Sequence, residues 1–206
     1  MIRHFSPSAK EIVVAPGAPE GINLIAKSWG MRHIEKGDEV IVSTIEHHAD
    51  IVSWHELAAE DGAVLRVIPM SDDRQVLLDE YERLLNPRTR LLSIAQVSNA
   101  HGTILPSQPV VAAAHRYGAR ALADGAQTAF AASARSIGSQ HRKDAQSLDC
   151  DLFVFSRHKV FWADRHRRVR WQAQCMGRGS ALARRREHDR RCHFREDDLP
   201  CASRQV

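Results

Sequence analysis

Six short apolar segments, each running into a polar or glycine-bearing corner, constrain this chain more than any other feature. They are Glu11–Val14, Glu39–Ser43, Ala63–Ile68, Arg90–Ala95, Ala119–Ala123 and the run that opens at Asp151. Between them lie stretches with apolar residues at helical spacing: Ile22, Ile25, Ala26 and Trp29; Trp54, Leu57 and Ala58; Leu77 to Leu85; Pro109 to Tyr117. Strands too short and apolar to alternate, interleaved with helices, pack as a mainly parallel sheet with helices on both faces. An α/β fold follows, and 206 residues suit one domain of it. In such a sheet the carboxyl ends of the strands are where ligands bind.

Three of those ends carry chemistry. Asp151-Leu-Phe-Val-Phe-Ser-Arg-His-Lys159 is an apolar strand that delivers Ser156, His158 and Lys159 to the edge. A lysine among apolar neighbours loses its proton readily enough to form a Schiff base with an aldehyde cofactor, which points to pyridoxal phosphate. The plainer reading is a surface lysine after a core strand. Asp124, freed by Gly125 at the end of its strand, is placed to meet a cationic ring nitrogen. Glu46-His47-His48-Ala49-Asp50 turns from strand to helix, and adjacent histidines cannot share one face, so at most one reaches a site and a joint metal site is not expected. Ala15-Pro-Gly-Ala-Pro19 before a helix can bind phosphate on backbone N–H groups, or be a plain turn. The polar loop Val97–Thr103 completes the edge.

Charge and cysteines exclude other classes. All 12 basic residues after position 160 are arginine, with no apolar periodicity among them, so the net charge of +4 belongs to the tail. A nucleic-acid arm is the functional reading of such a tail. The four cysteines form no C-x-x-C pair and no disulfide framework, so neither zinc nor a bridge is indicated. No apolar run reaches the length of a membrane span, and a cytoplasmic protein is expected.

Taken together, Glu20-Gly-Ile-Asn-Leu-Ile-Ala, Gly37-Asp-Glu-Val-Ile-Val-Ser, Glu46-His-His-Ala, Val97-Ser-Asn with Gly102-Thr103, Asp124-Gly-Ala-Gln, Leu148-Asp-Cys-Asp and Phe155-Ser-x-His-Lys159 resemble the class V aminotransferase family. Within it they resemble the group II cysteine desulfurases. The resemblance implies an incomplete large domain of pyridoxal-phosphate-dependent fold type I over residues 1–161. It implies that Lys159 carries the cofactor and moves protons at the substrate carbon, and that Asp124 keeps the pyridine nitrogen protonated. His47 would stack on the ring, Gln127 would donate to its phenolate oxygen, Asn99 would lie near ring and substrate, and Ser156 and His158 would hold phosphate. The implied reaction passes the sulfur of L-cysteine to an enzyme cysteine as persulfide and releases L-alanine. A sulfur-acceptor protein and an ancestral homodimer come with it; nucleic acid and membrane do not. The alternatives are another class V enzyme, a selenocysteine lyase or an aminotransferase, or a non-catalytic basic binding protein.

Departures from the family pattern carry expectations of their own. Gly17-Ala18-Pro19-Glu20 stands where the family has Gly-Thr-Thr-Glu, losing two hydroxyls and one backbone donor, so weaker phosphate binding is expected. Arg157 replaces a glycine and Asp50 an asparagine. The family's C-terminal domain, with its nucleophilic cysteine and carboxylate-gripping arginine, has no counterpart in these segments, so turnover by this chain is not expected. Cys150 reads as a buried structural thiol, and Phe130 to Lys143 as a loop or insertion. Codons for Trp162-Ala-Asp-Arg-His-Arg-Arg-Val169, read from the second base, can encode Gly-Pro-Thr-Gly-Ile-Gly-Val, the family's continuation. Residues 162–206 are therefore expected to be an out-of-frame, disordered tail.

Overall fold

The computed structural model of the chain describes residues 12–128 and 148–156, together with the strand at 173–177. Among the described residues, seven strands form one sheet: β1 Ile12–Ala15, β2 Glu39–Ser43, β3 Val64–Ile68, β4 Thr89–Ala95, β5 Arg120–Asp124, β6 Leu152–Ser156 and β7 Ala173–Gly177. Their order is β1-β7-β6-β5-β4-β2-β3. All neighbours are parallel except β7, which runs antiparallel to both β1 and β6. Among the described residues, the helices α1 Ala18–Ile25, α2 His48–Asp61, α3 Leu78–Leu84 and α4 Ser107–Arg116 cover the sheet. After α1 the helix widens into a π-turn over Ala26–Gly30 and ends at Met31–His33.

The two-residue period of a strand divides the core between the faces. Ile41, Leu92, Ile94, Ala121, Ala123, Phe153 and Phe155 point one way and pack with Tyr81 of α3 and Val110, Val111 and Ala114 of α4. Val40, Val42, Leu91, Leu122 and Val154 point the other way, against Ile22 and Ile25 of α1 and Trp54 and Leu57 of α2. β2, with all five of its residues buried, shows why such strands carry no alternation. The same parity sends Asp124 and Ser156 to the side of Leu122 and Val154, toward α1 and α2. Cys150 is fully buried, in the cluster on the α3–α4 side, as a structural thiol would be.

Where β2 and β4 lie side by side, the chain leaves β2 for β3 on one flank and returns to β4 on the other. Loops that diverge in this way open a crevice at the carboxyl edge. Glu46 and His47 follow β2 into it, and Val97 and Asn99 follow β4. β1 delivers the amino end of α1 to the same edge.

One strand departs from the sequence reading. No element is expected after residue 161, yet β7 lies there, with Ala173 paired to both Ala15 and Ser156. The sequence reading looks for apolar alternation, but a strand pair is made by backbone N–H and C=O groups. A segment flanked by two strand edges can complete the ladder whatever its composition. His158, Lys159, Arg157 and the 130–143 segment lie outside the described residues. Among the described residues, no helix is long and apolar enough to cross a membrane.

Candidate active site

At the carboxyl edge a cleft of about 190 Å³ is lined by Ala18, Pro19, Ile22, His47, Ala95, Val97, Asn99, Asp124, Ala126, Gln127 and Ser156. Five of the side chains singled out in the sequence, His47, Asn99, Asp124, Gln127 and Ser156, thus share one cavity although 109 positions separate the first from the last. The other two, His158 and Lys159, come two and three residues after Ser156 and lie outside the described residues.

Asp124 ends β5 with its carboxyl 2.8 Å from the Ala126 N–H, which donates to Oδ1, and with only 8% of the residue exposed. The turn that permits this needs Gly125. A Cβ at that position would lie 2.2 Å from the Phe153 ring, so no other residue fits without moving a buried aromatic. Gly125 N–H donates to the Val154 carbonyl at 2.7 Å and Gln96 N–H to the Asp124 carbonyl at 3.1 Å, which pins the corner to β6 and to the loop after β4.

His47 caps α2, its Nδ1 accepting from the Ala49 N–H at 3.2 Å. In the neutral ring that bond leaves the proton on Nε2. His48 begins the helix and is exposed, so one histidine of the pair reaches the cleft and the other faces water. Across the cleft, the Gln127 amide donates to the Asn99 carbonyl oxygen.

The amino end of α1 closes the cleft at Ala18 and Pro19. Gly17 caps the helix without a side chain, Ala18 N–H donates to Ser156 Oγ at 3.1 Å, and Pro19 has no N–H. Of the amides that such a terminus offers an anion, one is therefore committed and one is missing. The Ser156 hydroxyl keeps its own hydrogen to give.

Beneath His47 lies a polar network that the sequence reading did not assign. Glu46 accepts from the Ser43 hydroxyl at 2.5 Å and, at its other oxygen, from the Ala95 N–H at 2.6 Å. Asp50 Oδ1 accepts from Trp54 Nε1 and from Ser93 Oγ, both at 2.7 Å. Burial pushes the Glu46 carboxyl well above the ordinary carboxyl range, and the negative charges of Asp50 and Asp124 add to it. Burial pushes Asp50 up to about 6, against the pull of its Ser93 and Trp54 hydrogen bonds. The signal for this network was present as Ser43 and Ser93, hydroxyls in otherwise apolar strands.

The aminotransferase class-V family model matches residues 4–163. A cysteine desulfurase of Synechococcus elongatus is 51% identical over 162 residues, 78% of this chain and 24% of that protein. One from Klebsiella pneumoniae is 47% identical over 154 residues, 75% of this chain and 36% of that protein. Among solved structures, the cysteine desulfurase CsdA from Escherichia coli superposes with a TM-score of 0.74 at 30% identity, over 87% of this chain and 42% of that one. The chain thus spans between a quarter and about a third of the length of these curated relatives.

Proposed function

Because the chain belongs to the aminotransferase class-V family, we propose that its cleft is the cofactor side of a pyridoxal-phosphate-dependent cysteine desulfurase. The observation that carries this reading is the convergence of His47, Asn99, Asp124, Gln127 and Ser156 on one cavity at the carboxyl edge. Bound there, pyridoxal phosphate supplies an electron sink for an amino-acid substrate.

The residues present fit the group best at its ring end. Asp124, buried at the end of β5 with Oδ1 accepting from the Ala126 N–H, is the acid that would meet a pyridinium N–H. His47 presents its ring at the cleft with the proton on Nε2, available to a leaving or arriving group. Gln127 has a second amide hydrogen beyond the one given to Asn99. At the phosphate end the fit rests on the Ser156 hydroxyl and the remaining α1 amides, a thinner grip than a full helix terminus provides. Lys159, three residues after Ser156, is the residue assigned to hold the aldehyde carbon and to carry protons. In the type of enzyme this reading assigns by descent, L-cysteine is the substrate, its sulfur passes to an enzyme cysteine as persulfide and L-alanine is released; turnover by this chain itself is not proposed.

The same reading takes residues from about 162 as an out-of-frame continuation. The family match stops at residue 163, which supports a break at that point.

Borohydride reduction of the protein after incubation with pyridoxal phosphate, followed by peptide mapping, tests the assignment. The label is expected on Lys159. Label mainly on Lys10, Lys27, Lys36 or Lys143 would remove Lys159 from the site.

A further inference from the structure

We propose that Glu46 and Asp50 share a single proton between their carboxyl groups, and that this acid pair is a positioning device that fixes His47 at the cleft. The geometry leads to it in three steps. Asp50 is wholly buried, and its Oδ2 has no hydrogen-bond donor among the described residues. Its neighbour is the carboxyl of Glu46, which takes the Ala95 N–H two positions along β4 from the Ser93 hydroxyl that Asp50 takes, and the charge of Asp50 raises the cost of one on Glu46. An ionised carboxylate has no hydrogen to give, so two of them in buried contact repel, whereas one proton between them turns the contact into a short, charge-assisted hydrogen bond.

The surroundings favour one proton over none or two. From β2 comes the Ser43 hydroxyl, from β4 the Ser93 hydroxyl and the Ala95 N–H, and from α2 the Trp54 indole N–H. These four donors are neutral and stabilise one negative charge over the pair. The charged group that faces the pair from β5 is Asp124, which opposes a second. His47, between the two acids in sequence, has Nδ1 committed as an acceptor from Ala49.

The pair binds the carboxyl ends of β2 and β4 to the first turn of α2, and His47 sits in the bridge between them. If both acids ionise, the bridge carries two adjacent buried charges and its register with Ala95 and Ser93 loosens. His47 then loses its place over the cleft. The shared proton stands on the geometry of this chain; only the purpose served by His47 rests on the cofactor reading above.

Infrared spectroscopy of the cofactor-free protein tests the inference. At neutral pH the wild type is expected to show the carbonyl band of a protonated, buried carboxylic acid. Asp50→Asn should abolish it, because the new amide donates to Glu46 without a shared proton, and Glu46→Gln should abolish it by the mirror-image exchange. Ring-nitrogen NMR of His47 should show in the wild type a change that follows the band as pH rises and that Asp50→Asn lacks. A neutral-pH wild type with no such band, or a band that survives in Asp50→Asn, overturns the shared proton. A His47 signal indifferent to the loss of the band overturns the positioning role. Should Glu46→Gln not fold, the wild type and Asp50→Asn decide the matter alone.

Discussion

Asp124 and Gly125 show how far a single corner can be read from its residues. An acid at the end of an apolar strand, followed by glycine, was legible as a site signal, and the structure supplies the reason for the glycine in the Phe153 ring behind it. Gly125→Ala should therefore destabilise the fold by about 1–3 kcal/mol, the ordinary cost of overpacking a core, since Phe153 is wholly buried and must shift. Chemical denaturation would measure it, and a variant as stable as the wild type would show that the ring moves freely. Glu46 and Asp50 were not legible in the same way. Their partners Ser43, Ser93 and Ala95 come from two strands, and only the β2–β4 pairing brings them together. Both acids stand raised, so the stability they contribute is full below the ordinary carboxyl range and declines as pH rises, for Asp50 through about 6. The urea midpoint of the wild type should fall over that interval, and more steeply than that of Asp50→Asn.

At the scale of elements, strand positions agree with the sequence reading to within a residue or two, because a buried parallel strand is a short unbroken apolar run bounded by turns. The helices agree for the same reason, except that α1 passes into a π-turn over Ala26–Gly30. Helical periodicity carries no mark of that extra residue; a Cβ at Gly30 would lie 2.8 Å from Leu57, so the π-turn packs on α2 at close range there. Another tie joins elements at the sheet edge opposite the cleft. His115 of α4 meets Asp151, just before β6, at 2.9 Å, and Arg120 of β5 meets the same carboxylate at 2.7 Å. The hydrogen bond to Asp151 raises the His115 pKa above its ordinary 6.5, against a smaller opposing effect of burial. The tie is thus at full strength below that value and is lost as pH rises through the folded pKa. Asp151 itself is lowered: burial raises it, but the hydrogen bonds from His115, Ala121 and Arg120 together prevail. Its contribution is present above 3.8 and is lost as pH falls through its folded value. His115→Gln should flatten the alkaline decline of stability and leave the acid limb in place. An unchanged alkaline slope would show that the tie does not form in solution.

For the molecule as a whole, the alternation of elements fixed a doubly covered parallel sheet, but strand order and the place of β7 were beyond its reach. Order depends on which strand edges meet, and β7 depends on the slot between β1 and β6. That slot sets what truncation should do: ending the chain at residue 161 removes the strand that joins β1 to the sheet, so faster amide exchange is expected in β1 and β6. Unchanged exchange in both strands would show that β7 does not hold them. The reading frame is a separate matter, and the coding sequence tests it: codons that fail to open Gly-Pro-Thr-Gly-Ile-Gly-Val one base along from Trp162 would end the out-of-frame proposal. The central claim is that the carboxyl-edge cleft receives the cofactor. Its most direct measurement is an amide NMR titration of the isotope-labelled chain with pyridoxal phosphate. The account predicts shifts concentrated at Ala18, His47, Val97, Asn99, Ala126 and Gln127, with β3 and the amino ends of the strands unmoved. Shifts concentrated at those amino ends, or no shift at the cleft at saturating cofactor, would contradict it.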